Sequence, residues 1–322
     1  MRLEMIQNVV FMGTPDFAVG TLQALIRSRY QVKAVFCQPD KPKGRGKSLA
    51  MPPVKEKAME AGIAVYQPEK IREERWLAKV EELKPDVIVV VAFGQILPER
   101  VLKAAKYGCV NVHASLLPKY RGAAPIQWAV IDAEKVSGVT TMRMDAGLDT
   151  GDMILRREVP LDAEETGGSL FDKLSAVGAE LLIETLDAIS EGRAVYHPQP
   201  KESPTPYASM LTKKQGEISW EQPAEKIECL IRGLNPWPSA YTYYRGKMLK
   251  IWKAEALPDN PGEKGMPGEA ARVTKHSLEI QTGDGFLSIK ELQPEGKKRM
   301  GIDEFLRGYP VENGEVFGRV KE

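Results

Sequence analysis

The stretch that most restricts the fold is residues 86–92, DVIVVVA, an almost unbroken β-branched apolar run with no polar face to offer water. A strand of this kind is buried on both sides, as in a parallel sheet covered by helices. The flanking segments carry the matching alternation. Residues 8–12 read as a strand, and Gly13-Thr14-Pro15 then supplies a turn, a candidate N-cap threonine and a proline for the first helical position. Phe17, Leu22, Leu25 and Ile26 share one helical face through Arg29, and residues 32–37 return as a strand, completing a βαβ unit. Further on, residues 69–83 and 99–105 read as helices, 109–113, 139–144 and 153–159 as strands, and 168–189 as a long amphipathic helix that closes the domain. This order predicts an α/β, Rossmann-like domain with a mostly parallel sheet over residues 1–191.

Over residues 192–206 the texture changes, with Pro198, Pro200, Pro204 and Pro206 crowded among polar residues, and a linker is expected there. Residues 207–322 hold one expected helix, 224–234, among short runs punctuated by glycine and proline, the pattern of a small β-barrel. Two domains suit 322 residues of which 43% are hydrophobic. Lys and Arg number 45 against 44 Asp and Glu, so no global field attracts a polyanion and any such ligand must be met by local charge. Cys37, Cys109 and Cys229 are odd in number and far apart, which argues against a disulfide framework. His113, His197 and His276 stand at no metal-ligand spacing, and no metal is expected. With no leader-like start and no apolar run long enough to span a bilayer, the cytoplasm is the expected location; neither a membrane nor a protein partner is predicted.

Chemistry-bearing residues gather at two places. Asn111 and His113 stand two apart at the end of a predicted parallel strand, so both point to one side, where open α/β sheets place their ligands. An amide donor beside an imidazole suits a reaction in which a carbonyl oxygen gains negative charge, although the pair also fits a role in satisfying backbone groups. The segment 145–152, DAGLDTGD, sets carboxylates around glycines, which fits a self-bonded turn, a cation site or a loop approaching a ligand. Gly13-Thr14-Pro15 lacks the spacing of a dinucleotide fingerprint and the acidic residue that should follow, which disfavours a nicotinamide enzyme.

Taken together, NVHASLLPKYRGAAPIQ at 111–127 and GLDTGD at 147–152 resemble the catalytic domain of the formyltetrahydrofolate-dependent formyltransferases. The resemblance extends through FMGTP at 11–15, VAFGQILP at 91–98, Tyr207-Ala208, Ile218-Ser219-Trp220 and the NPWPSA segment at 235–240, where Ser239 replaces an expected glycine. It implies that Asn111, His113 and Asp149 are catalytic, that Ser115, Leu116, Leu117 and Pro118 contact folate, and that Phe93, Gly94, Gln95, Ile96 and Leu97 line the folate site. It also implies an OB-like second domain and 10-formyltetrahydrofolate as co-substrate without a metal. Family members share the catalytic residues but differ in acceptor, which is a sugar-nucleotide amine, a purine precursor, water or tRNA. Residues 38–48, with Lys41, Lys43, Arg45 and Lys47, resemble the acceptor-stem-binding loop of the tRNA-formylating members and imply methionyl initiator tRNA as partner. Without the resemblance this loop fits a solvated turn more readily than a nucleic-acid contact. In the second domain, Lys213, Lys214, Arg232 and Lys250 are candidates for contacts to the tRNA body, or equally a solvated face. A non-enzymatic RNA-binding module is a further alternative, opposed by the intact Asn111, His113 and Asp149.

Overall fold

In the computed structural model, which describes residues 5–43, 48–258 and 265–318, every residue of Val87–Val91 is buried between two parallel neighbours. The chain runs β1 (Asn8–Gly13), α1 (Asp16–Arg27), β2 (Gln31–Phe36), β3 (Lys41–Lys43), β4 (Ser48–Ala50), α2 (Pro53–Glu60), β5 (Ala64–Tyr66), α3 (Glu74–Glu82) and β6 (Val87–Val91). It continues through α4 (Glu99–Leu102), β7 (Cys109–His113), α5 (Pro125–Ile131), β8 (Val136–Arg143), β9 (Met153–Pro160) and α6 (Gly167–Ser190). The sheet order is β5-β2-β1-β6-β7-β8-β9. Pairing is parallel from β5 to β7 and antiparallel from β7 to β9, as expected of a mostly parallel, Rossmann-like sheet.

Val10, Met12, Phe36, Ile88, Val90 and Leu97 share one core cluster on one face of this sheet. On the other face α6 approaches closely enough that a Cβ at Gly178 would stand 3.0 Å from Val112. Thr185 of the same helix exchanges a 2.8 Å hydrogen bond with Thr141 of β8.

A second unit contains a 3-10 turn (Lys213–Gly216), α7 (Ala224–Gly233), β10 (Ala240–Tyr244), β11 (Lys247–Leu257), β12 (Ala270–Val273), β13 (Leu278–Gln281), β14 (Phe286–Pro294), β15 (Met300–Gly301) and α8 (Ile302–Gly308). Its antiparallel sheet has the order β10-β11-β14-β13-β12, with β15 on β14. Ile227 and Ile231 of α7 join Ile251, Leu287, Ile289 and Phe305 in its core. By packing, the first unit holds the chain to Pro125, Val136–Pro160 and Phe171–Ala208, and the second holds Ile126–Lys135, Leu161–Leu170 and the chain from Ser209. No helix among the described residues is long and apolar enough to cross a membrane.

Three local expectations need correction. Thr14 does not cap α1, whose N-cap is Pro15 without a side-chain bond; its hydroxyl donates to the Phe93 carbonyl at 3.1 Å and accepts the Gln38 amide at 3.2 Å. The helix expected from residue 69 starts at Glu74, because Ile71 is buried and its amide is taken by the Gln95 side chain at 2.7 Å. The basic loop contains a short hairpin, with Lys41 opposite Ala50 and Lys43 opposite Ser48.

Candidate active site

β7 delivers Asn111 and His113 to the place where the sheet changes from parallel to antiparallel pairing. Both are buried, with only 8% and 7% exposure, and alternate with Val112 so that they share a face. Opposite His113, Thr140 of β8 donates to the Ser115 carbonyl at 2.7 Å and accepts the Leu117 amide at 3.0 Å, which fixes how the chain leaves β7. Ser115 in turn donates to the Lys119 carbonyl at 2.6 Å. Ser115 and Leu117 are thus buried structural members of the segment, while Leu116 and Pro118 are only half-buried.

His113 Nε2 lies 2.9 Å from the Tyr120 carbonyl. A carbonyl only accepts, so Nε2 carries a proton and Nδ1 is the nitrogen facing Asp149, with Oδ1 at 3.8 Å. That separation exceeds a hydrogen bond but is within ion-pair range once the ring is charged. The other Asp149 oxygen accepts the Gly122 amide at 3.0 Å. Tyr120 and Asp149 both have a left-handed backbone, φ 56° in each, which costs an L-residue on the order of 1–3 kcal/mol and persists only where the surroundings impose it.

Those surroundings come from residues 199–205. Gln199 Nε2 donates to the Asp149 carbonyl at 2.9 Å and the Gly151 carbonyl at 2.7 Å, and the Tyr120 amide donates to Thr205 Oγ1 at 2.7 Å. Ser203 donates to the Pro118 carbonyl at 2.8 Å. The buried Arg121 guanidinium donates to Gln199 Oε1 at 3.1 and 2.9 Å and to the Pro200 carbonyl at 2.8 Å. Sequence reading missed Tyr120, Arg121, Thr140 and Gln199. Tyr120 and Arg121 lie inside the 111–127 motif, but nothing local marks Thr140 or Gln199.

The acidic loop divides its carboxylates between two tasks. Asp145 accepts the Gly147 amide at 3.0 Å and the Thr150 hydroxyl at 2.8 Å, a self-bonded turn, while Asp149 is turned to His113. Among the described residues, no group of three His, Cys, Asp or Glu side chains is placed to hold a metal ion.

At the ends of β1 and β6 the sheet order reverses, the usual ligand crevice of open α/β sheets. Thr14 and Gln38 both donate to the Phe93 carbonyl there, each at 3.1 Å. Phe93 and Leu97 are buried, and Gln95 is held to Ile71 and to the Pro68 carbonyl. Ile96, at 75% exposure, and the Gly94 backbone are the parts of this segment open to a ligand.

Lys41 is exposed on β3, at a hairpin rooted by Asp40, which takes the Lys55 ammonium at 2.8 Å and the Gln67 amide at 2.7 Å. Lys55 foremost, then Gln67, holds the Asp40 carboxyl below its ordinary range. Lys43 shares this strand, whereas Arg45 and Lys47 lie outside the described residues. Within the second unit Lys213 and Lys214 are exposed, and Lys250 stands 5.6 Å from the Trp252 ring centre. Arg232 is engaged internally, donating to Glu228 at 2.7 Å and to the Glu165 carbonyl at 2.9 Å.

Comparison with known proteins gives these arrangements a family. A family model described as Formyl transferase matches residues 7–186, and one described as Formyl transferase, C-terminal domain, matches residues 210–310. The chain belongs to the formyl transferase family. It is 55% identical over 310 residues to the methionyl-tRNA formyltransferase of Agathobacter rectalis, covering 96% of this chain and 99% of that one. To the Lachnospira eligens protein of the same name it is 53% identical over 314 residues, covering 97% and 99%. Within the formyl transferases it groups with these proteins. Among solved structures it is similar in fold to WlaRD, a sugar 3N-formyl transferase, with a TM-score of 0.67 at 20% identity over 92% of this chain and 100% of that one. The Helicobacter canadensis N-formyltransferase, solved with folinic acid and dTDP-3-aminofucose, has a TM-score of 0.66 at 21% identity over 88% and 98%.

Proposed function

We propose that this chain transfers the formyl group of 10-formyltetrahydrofolate to the free amino group of methionyl initiator tRNA, serving translation initiation in the cytoplasm. The observation that carries the chemistry is the convergence of Asn111, His113 and Asp149 at the end of β7; identity to methionyl-tRNA formyltransferases over nearly the whole chain supports the acceptor.

The amine attacks the formyl carbon, a tetrahedral oxyanion forms, and the folate nitrogen leaves with the proton that the amine gives up. The Asn111 amide orients the formyl oxygen and donates to it as its charge grows. With Nε2–H committed to the Tyr120 carbonyl, Nδ1 of His113 is the site that takes up a proton, and the Asp149 carboxylate lies 3.8 Å from it. The imidazolium stabilises the oxyanion, and Asp149 helps carry the proton from nucleophile to leaving group. No covalent enzyme intermediate is needed. Ile96, the Gly94 backbone, Leu116 and Pro118 form the folate-facing surface in this reading.

Lys41, Lys43, Arg45 and Lys47 meet phosphates at the acceptor end. The second unit, taken as an OB-like barrel, holds the tRNA body through Lys213, Lys214 and Lys250; Arg232 is left out because its guanidinium is already bound within that unit. The test is transfer of label from radiolabelled 10-formyltetrahydrofolate to methionyl initiator tRNA, a 4-amino-sugar nucleotide and glycinamide ribonucleotide in parallel. Label on the tRNA is expected. Label on a small amine alone overturns the acceptor, and binding of tRNA without transfer overturns the enzyme.

A further inference from the structure

The two ring nitrogens of His113 face two different segments, Tyr120 through its carbonyl and Asp149 through its carboxylate. Neither segment holds its shape by itself, since both residues sit in a left-handed conformation that L-residues avoid. Besides the bond from the Gly122 amide to Asp149 itself, one further side chain joins them. The geometry points to Gln199 as a positioning residue for formyl transfer, whose carboxamide sets the separation of Asp149 from His113.

Gln199 commits both ends of its amide. Its Nε2 donates to the carbonyls of Asp149 and Gly151, bracketing the backbone that aims the carboxylate. Its Oε1 accepts Nε and Nη2 of Arg121, the residue that follows Tyr120. Arg121 is 7% exposed and is held further by the Pro200 carbonyl, so it forms a fixed wall against which the amide is set. Glutamine alone among side chains of this length offers two donors and an acceptor on one planar head: glutamate keeps the acceptor but has no donor, and methionine fills the space with neither. A displacement of about 1 Å in such a constellation costs on the order of 100-fold in rate, which makes a residue outside the reacting trio visible in turnover.

The inference rests on the catalytic reading of Asn111, His113 and Asp149, and its test keeps the two apart. Gln199→Met and Gln199→Glu are made in the wild-type chain and in Asp149→Asn, and kcat, KM for both substrates, folate affinity and thermal midpoint are measured. Gln199→Met is expected to lower kcat on the order of 10- to 100-fold, with KM for folate within about twofold of wild type. Gln199→Glu retains the acceptor for Arg121 but turns a carboxylate oxygen toward the Asp149 and Gly151 carbonyls, so kcat falls comparably and the thermal midpoint falls with it; what a merely structural glutamine does not give is a loss confined to kcat that vanishes in the Asp149→Asn background. In the Asp149→Asn background Gln199→Met costs less than about twofold more, because its effect passes through the missing carboxylate. Wild-type kcat in folded Gln199→Glu, or an equal proportional loss from Gln199→Met in both backgrounds, overturns the assignment. Full activity of Asp149→Asn by itself is a different result: it removes the catalytic reading, and this inference with it.

Discussion

At Gly122 a Cβ would come within 2.5 Å of the Ala208 carbonyl oxygen and 2.9 Å of the Tyr207 ring, while the amide of the same residue donates to Asp149. The obstacle is backbone, and φ 131° is itself closed to alanine. Gly122→Ala therefore moves the donor away from the carboxylate, and kcat is expected to fall on the order of 100-fold in single-turnover assays of protein that circular dichroism shows to be folded. Asn111→Ala and His113→Ala each remove a group whose interaction strengthens as the oxyanion forms. Each is expected to lower kcat by about 100- to 1000-fold with little change in KM for folate; wild-type turnover in either variant takes that residue out of the reaction. Ser239 is a different kind of residue. It is buried at φ 71° where the family resemblance expects glycine, so Ser239→Gly relieves a left-handed serine and should stabilise the second unit by about 0.5 to 1 kcal/mol, read as a higher urea midpoint of tryptophan fluorescence.

The hairpin of β3 and β4 hangs from the node of Asp40, Lys55 and Gln67. Lys55→Met removes the cation from that node without touching the hairpin's own lysines. It is expected to raise KM for tRNA and to speed trypsin cleavage beside Lys43, with folate binding unchanged; an identical cleavage rate and KM show that the node does not order the hairpin. Elements such as these mark the limit of what the sequence discloses. The strands were legible because a run like Val87–Val91 has nowhere to go but a two-sided core, and α6 because its apolar residues keep helical spacing. The hairpin was not, since lysine, proline and glycine read as a solvated turn and its anchor comes from residues 15 and 27 positions away. Thr14 was misassigned for the same reason, its partner Phe93 being 79 positions distant. Asn111 and His113 stood out by their place at a strand end. Gln199 did not, because its partners lie 48 to 78 positions back and its neighbours are prolines.

Over the whole molecule the charges nearly cancel, so tRNA affinity has to come from a few local cations, and it should fall steeply with salt. Replacing Lys41, Lys43, Arg45 or Lys47 by alanine is expected to flatten the slope of log affinity against log salt by about one for each phosphate left without its cation. A slope unchanged in all four variants leaves residues 41–47 without a role in binding. The thiols offer a probe of opening in the first unit: burial pushes Cys37 and Cys109 up to about 12, so both should resist Ellman's reagent at pH 8 until that unit opens. Fast labelling of both in the native protein contradicts the buried sheet core. The segment at 199–205 also bears on how such a chain can be recombined. An exchange that joins a foreign second domain at Gly192 discards Gln199, Ser203 and Thr205, and with them the bonds that hold Asp149, Pro118 and Tyr120. Only a junction beyond Ala208, whose amide and carbonyl still pair with Arg121 and Ala123, passes the reaction centre on whole; the segment that resembles a spacer is inherited with the chemistry.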